Sequence, residues 1–403
     1  MILMKAGATQ IARSARARAK KAVSDPAVRY AMLLFVAMRI LISLWAALVL
    51  ATTHAPTSPD EVLRPYQGME PISGGPAELF LGVWQRFDTL WFLRIASQGY
   101  APDDGSTVYF PLYPLLIRIL GKALLGNYLL AALLISNLAY IGALFYMYKL
   151  TETQLGKAAA RRSVTYLAIF PTAFFFLAAY TESLFLLLTL AGFHYAQSKR
   201  WWLAGFFGLL SSLTRLQGIV LLVPLLYMYL RDREFSLAKL RPNLLGLILI
   251  PVGAAMFLAY QHLVIGSAPL LNTYQMQLYA QFVWPWDNII ATCQKIWSAQ
   301  GTFINALNLG MTCLFFAMTV VSFRKLSMEY GIYMAATMFV LLIRRTTLQP
   351  LVSTSRYVLV LFPAFMIWAH WGRKPRVQRF LLYPSVALLL YLSGQFAMWG
   401  WVA

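Results

Sequence analysis

Charge is scarce in this sequence, and acid scarcest of all. Of 403 residues 12% are charged, with 14 Asp+Glu against 34 Lys+Arg. Soluble domains carry about 25% charged residues, so a soluble enzyme is excluded, and so is a disordered chain, which needs polarity to stay open. Cysteine is nearly missing: Cys293 and Cys313 stand far apart, one within an apolar run. That excludes a disulfide scaffold and fits no metal pattern. The four histidines (His54, His194, His262, His370) are never paired at short spacing, so no metal centre and no cofactor is expected. No Walker loop and no Gly-x-Gly-x-x-Gly run occurs. A cytosolic nucleotide or nucleotide-sugar site therefore has no cradle here.

What is present is apolar. Hydrophobic residues make up 60% of the chain, and mean hydropathy is +0.63. Apolar runs lie at 30–52, 127–149, 163–178, 180–197, 201–214, 217–230, 244–265, 301–323, 328–343, 356–371 and 379–400. About 20 helical residues cross ~30 Å of hydrocarbon. The pattern predicts an all-α polytopic membrane protein of about eleven spans. A basic cytoplasmic tail, 1–29, precedes a single transmembrane domain, 30–403, with short paired helices at 163–230. The first run reads as a retained anchor rather than a signal peptide. The Ala/Arg stretch 12–21 reads as a surface helix at an anionic leaflet.

Charge placement sets the orientation. With the tail inside and the runs alternating, 23 of the 34 Lys+Arg fall on the inner side and 10 on the outer, while acids divide 5 to 9. That is the positive-inside bias, so nucleic acid is not needed to explain a net charge of +20. The outer side then holds a first loop, 53–126, and another, 266–300. Tyr109–Leu125, with two prolines, Arg118 and Lys122, reads as an interfacial or re-entrant helix. Asp60, Glu61, Glu70, Glu78, Asp103 and Asp104 read as solvated loop acids.

Two acids stand apart. Asp88 lies in VWQRFDTLWFLRI (83–95), where Trp84, Phe87, Trp91 and Ile95 form an apolar stripe. Such a helix is expected at the outer interface, its aromatics at headgroup depth. Asp88 is then either a base at that level or a salt-bridge partner of Arg86 or Arg94. Glu182 sits in YTES, which splits an apolar run of over 30 residues. Thr181 or Ser183 as an N-cap would explain the hairpin but not the acid. Arg215 interrupts another run, and Arg344, Arg345 and Arg356 gather near an outer loop with Ser353–Ser355. A guanidinium is a fixed fork for phosphate oxygens, or it snorkels to headgroups. A substrate arriving through the membrane as a phospholipid suits this inventory.

RFDTLWFLRIASQGY (86–100), FPLYPL (110–115), FPTAFFFLAAYTESLF (170–185) and TRLQG (214–218) occur in that order. Together they resemble the polytopic mannosyltransferase family that includes the second mannosyltransferase of GPI-anchor assembly and bacterial relatives, of the GT-C fold. The C-terminal half resembles it more loosely, mainly at Ser355–Arg356–Tyr357. The chain departs from the family at Phe87, Trp91 and Leu216–Gln217. The resemblance implies inverting transfer of a hexose, usually mannose, from a polyprenyl-phosphate donor to a lipid or glycolipid acceptor at the extracytoplasmic face. That face is the outside of a bacterial plasma membrane, or the lumen of the endoplasmic reticulum in a eukaryote. It puts Asp88 on the catalytic carboxylate. Arg215, Arg356 and Arg345 are expected to hold the donor phosphate, and Arg86, Tyr113, Tyr180, Thr181, Glu182 and Gln217 to line the pocket. The rival class is a transporter or flippase for an anionic lipid, which would use the arginines but not Asp88 as a base. A purely structural membrane subunit would need neither.

Overall fold

The computed structural model describes residues 24–53, 66–102, 104–266, 280–346 and 349–402. The 12–21 helix, Asp60, Glu61 and Asp103 lie outside them. The regular structure of the described residues is almost entirely helical. In chain order the helices are α1 (Pro26–Thr52), α2 (Gly75–Phe80), α3 (Asp88–Gln98), α4 (Leu112–Ala123), α5 (Tyr128–Leu155), α6 (Lys157–Ala168), α7 (Glu182–Gln197), α8 (Trp201–Thr214), α9 (Leu222–Arg231), α10 (Leu245–Tyr260), α11 (Pro285–Trp297), α12 (Phe303–Lys325), α13 (Met328–Leu342), α14 (Thr354–Tyr357), α15 (Phe362–Trp371) and α16 (Pro375–Ala397). The one sheet among the described residues pairs β1 (Ala280–Phe282) antiparallel with β2 (Arg344–Thr346), Gln281 opposite Arg345.

Five of these stretches are long and apolar enough to cross a membrane: α1, α5, Pro242–Ile265, α12 and α16. Shorter apolar helices occupy Trp201–Thr214, Leu216–Arg231 and Met328–Leu342. Two runs expected as single spans are broken instead. The 163–178 run ends as a helix at Ala168 and resumes as a 3-10 turn at Ala173–Phe176, because Pro171 cannot continue the helix and restrains the residue before it. The 356–371 run is split into α14, a 3-10 turn at Val358–Val360, and α15 with Pro363 in its first turn. These breaks put irregular backbone at one end of the bundle, where it lines the site.

A second difference concerns the aromatic stripe. Trp84 and Ile95 are buried in the protein core, and Phe87 packs against Phe396, Trp399 and Trp401. The stretch 83–95 therefore faces protein, not headgroups. Periodicity reports that a face is apolar; it does not say whether lipid or protein covers it. By contrast α4 buries Tyr113 and Ile117 and exposes Leu115 and Ile119, so part of its apolar surface does face outward.

Several polar side chains within the bundle find backbone partners, as a medium without water favours. Arg39, inside α1, donates from Nη1 to the Leu177 carbonyl at 2.8 Å and lies over the Trp84 ring. Trp45 Nε1 donates to the Leu390 carbonyl, tying α1 to α16. At the opposite end Arg231 pairs with buried Glu329 at 2.6 Å. There too Asp25 caps α1 through the Ala27 N–H and pairs with Lys149 at 2.9 Å. Burial opposes the Asp25 charge, but Lys149 and the cap outweigh it and hold the carboxyl below its ordinary range.

Candidate active site

The quoted motifs converge because side chains of one segment bond to the backbone of another. Thr89 donates from Oγ1 to the Ala179 carbonyl. Tyr180 donates its hydroxyl to the Arg86 carbonyl at 3.2 Å. Ser136 donates to the Tyr180 carbonyl at 2.9 Å and shares a hydrogen bond with the Tyr113 hydroxyl. Thr172, of the FPT turn, donates to the Ser355 carbonyl at 2.7 Å, and the Ser355 N–H donates to Asn308 Oδ1. These bonds bring the starts of α3, α7 and α14 together.

Each of those helices presents a charged residue. Asp88 is the first residue of α3 and Glu182 the first of α7, where the helix dipole favours an anion. Arg356 projects from the single turn of α14. Its Nη1 donates to Asp88 Oδ2 at 2.7 Å. Its Nε stands 3.4 Å from Glu182 Oε1, an ion-pair distance without hydrogen-bond alignment. Arg215 Nη2 donates to that same oxygen at 2.7 Å. The result is a chain of alternating charge, Asp88–Arg356–Glu182–Arg215. Arg94, one of the two local partners considered for Asp88, pairs with Asp104 instead.

Aromatic groups frame the chain. The Tyr109 hydroxyl reaches Asp88 Oδ1 at 3.4 Å, and its ring stacks on Trp91. Burial first, and then the Asp88 charge, push the Tyr109 phenol well above its ordinary range, so it remains a donor. Arg356 Nη2 donates to the Tyr357 hydroxyl at 3.1 Å. The Tyr357 ring lies 4.9 Å from the Arg356 guanidinium, 5.2 Å from that of Arg215 and 5.8 Å from that of Arg344. Tyr180 flanks Arg356 from another side.

Two strained residues aim the central pair. Phe87, just before Asp88, has φ +50°, and Ser353, just before α14, has φ +59°. Non-glycine residues in that region cost about 1–3 kcal/mol and persist only where their surroundings hold them. For Phe87 the holders are the three rings of 396–401. Gly218 serves Arg215: a Cβ there would collide with the Ser212 nitrogen, so only glycine lets the TRLQG turn close on the end of α8.

The expected residues divide clearly. Asp88, Glu182, Arg215, Arg356 and Tyr180 meet in one cluster. Arg86 is buried elsewhere, donating to the carbonyls of Gly82 and Ala397 and lying over Trp399. Burial lowers its pKa to about 10, which still leaves it charged at neutral pH. Tyr113 is spent on Ser136 and the Ala132 carbonyl. Thr181 sits at the N-cap position without a side-chain cap bond, and Ser183 bonds back to the Phe176 carbonyl, so neither fills the capping role considered for it. None of the contacts above reaches Gln217. Arg345 pairs through its backbone with β1, while its neighbour Arg344 faces Tyr357; side chains alternate along a strand. Tyr109, Tyr357 and Arg344 are the members that sequence reasoning did not select. Among the described residues no three His, Cys, Asp or Glu side chains gather as metal ligands.

The family model described as Mannosyltransferase (PIG-V) matches residues 27–298 of the chain. No curated protein sequence matches it. Among solved structures, ArnT from Cupriavidus metallidurans, crystallised bound to undecaprenyl phosphate, is similar over 92% of this chain and 76% of its own length. The identity is 14% and the TM-score 0.49.

Proposed function

Because the chain belongs to the PIG-V mannosyltransferase family, we propose that it is an inverting, GT-C type glycosyltransferase that moves mannose from a polyprenyl-phosphate donor to a hydroxyl of a lipid-linked or glycolipid acceptor. The observation that carries this reading is the chain Asp88–Arg356–Glu182–Arg215, open at Asp88 and sealed at Glu182. An acceptor hydroxyl must lose a proton as it attacks the anomeric carbon. A carboxylate in reach can take that proton, a contribution of about 10²–10⁴-fold. Asp88 is that base.

The leaving group is already a phosphate, so it needs cations rather than an acid. With Arg344 counted, three guanidiniums face two carboxylates, leaving one positive charge. A sugar linked to a polyprenyl chain through one phosphate carries one negative charge. Arg356 and Arg215 are the phosphate-binding pair, with Arg344 rather than Arg345 beside them. Arg356 then has two partners in turn: Asp88 as the structure stands, and the phosphate once the donor is bound. The positive-inside bias of the loops puts this end of the bundle outside.

The direct test is mass spectrometry of lipids after purified protein meets polyprenyl-phosphate-mannose and a membrane lipid extract. A product heavier by one hexose is expected, and it should vanish with Asp88→Asn. Orientation has its own test: a membrane-impermeant thiol reagent added outside should label a cysteine at Gly105 and spare one at Lys157. Labelling of the second alone would overturn the placement of the site.

A further inference from the structure

The helix α11 belongs to none of the motifs above, and its surface poses a problem. Trp286, Ile290 and Trp297 are 54%, 51% and 94% exposed, and Cys293 is exposed between them. At 3.6 residues per turn these four fall within about 60° of one another. Trp284 stacks flat on Trp286, ring centroids 5.2 Å apart, and is itself exposed. The opposite face is polar yet buried, with Asn288 and Thr292 inaccessible. Asn288 donates from Nδ2 to the carbonyls of Leu342 and Arg344, at 2.6 and 3.0 Å, so α11 is fixed to the end of α13 and the start of β2. A continuous exposed stripe of this kind needs a cover.

The position of α11 says what covers it. It ends at Trp297, and the span α12 begins at Phe303. Phe303 is exposed, as are Phe316, Val320 and Phe323 farther along α12; on a membrane-spanning helix such residues face lipid. The Trp stripe ends six residues before the start of this span, at the same end of it. The end concerned is the one that carries the site, since Asn308, in the second turn of α12, accepts from the Ser355 N–H next to Arg356. A tryptophan-rich helix with one apolar face and one polar face, lying at the mouth of a span, belongs at headgroup depth.

We propose that α11 is a membrane-surface anchor, seated with Trp286, Ile290, Cys293 and Trp297 in the lipid of the leaflet at the site end of the bundle. Its occupant is the phospholipid layer itself, into which such a face sinks by roughly 5–10 Å. Through Asn288 it fixes the backbone of Arg344 at the level of the lipid phosphates.

The two cysteines make this directly measurable. Cys313→Ser leaves Cys293 as the sole thiol, and Cys293→Ser leaves Cys313, which lies mid-way along α12. A third variant lacking both, with Lys239→Cys on an exposed loop, supplies an aqueous reference. Each is nitroxide-labelled in phosphatidylcholine nanodiscs, and its collisions with oxygen and with a water-soluble nickel chelate are compared. The oxygen-to-nickel ratio should be highest at 313, intermediate at 293 and several-fold lower at 239. A ratio at 293 equal to that at 239 would place the stripe in water and overturn the proposal. Protection at 293 from both colliders would overturn it as well, because the cover would then be protein, such as a second copy of the chain.

Discussion

Asp88 and Glu182 are both first residues of a helix, both ion-paired with Arg356, and they come from motifs about 90 residues apart in the chain. Yet their surroundings oppose them. The Asp88 side chain is 20% exposed and each of its oxygens has one partner, Tyr109 on Oδ1 and Arg356 on Oδ2. Glu182 is wholly buried; two arginines crowd one oxygen, and the other oxygen has no partner. A general base must be reached by the proton it takes, so on the proposed reaction the exposed Asp88 is the better placed of the two. Glu182 has a different effect. Two guanidiniums side by side repel, and one carboxylate oxygen between them removes the repulsion and fixes their spacing. Of two like groups on one arginine, the proposed reaction gives the chemistry to the open one and the holding of the cations to the sealed one.

The largest expected effect breaks that comparison at Asp88. Asp88→Asn keeps size and loses basicity, so turnover should fall by about 10²-fold or more with donor binding little changed. Asp88→Glu moves the carboxylate by about one methylene and should retain only a trace, since a 1 Å misplacement can cost ~10²-fold. Pre-steady-state transfer rates and donor binding read the two quantities separately. Near-normal turnover in Asp88→Asn would remove the base and make Glu182 the next candidate.

Glu182→Gln should act next. A hydrogen bond to a charged group contributes about 1.5–3 kcal/mol, so loss of the bridging charge should cost about tenfold or more, seen first as a higher KM for the donor. The variant should still insert and purify as one species. If its KM is unchanged and only its unfolding temperature drops, Glu182 is a packing residue and the contrast with Asp88 is one of burial alone.

How much of this could be read from the sequence follows from what sequence signals report. The long helices, the site motifs and four members of the charged chain were legible, because apolar runs and intramembrane charges stand out against their background. The partner of Asp88 was not: Arg356 lies 268 residues away, and local spacing offered Arg86 and Arg94 instead. The aromatic stripe at 83–95 was legible as a stripe but misplaced, since apolar periodicity is the same whether lipid or core covers it. The exposed stripe fell on α11, inside a segment read only as a loop. Arg344 and Arg345 could not be separated, because strand register decides which side chain points inward, and that register is set by β1, more than 60 residues earlier.

That register gives a sharper contrast of smaller size. Arg344→Ala removes the third guanidinium near Tyr357 and should raise the donor KM by several-fold. Arg345→Ala, one residue away, should change it little. Parallel donor titrations of the two variants decide the matter, and equal effects would mean that their total charge matters rather than its placement.

The smallest effect tests the other oxygen of Asp88. Tyr109 stands at 3.4 Å, a long hydrogen bond, so its removal belongs at the weak end of the usual 0.5–1.5 kcal/mol. Tyr109→Phe keeps the stacking on Trp91 and loses only the hydroxyl, and turnover should fall by about two- to threefold. The pH profile carries more information than the rate. Burial and the Asp88 charge raise the Tyr109 phenol well above its ordinary value. A raised phenol pKa means the neutral donor is present throughout the neutral and mildly alkaline range and is lost only far above it. The alkaline limb of kcat/KM should therefore be the same in Tyr109→Phe as in the native protein. An alkaline limb that disappears with the hydroxyl would show that Tyr109 titrates within the working range, and the two oxygens of Asp88 would then be tuned by two groups rather than by Arg356 alone.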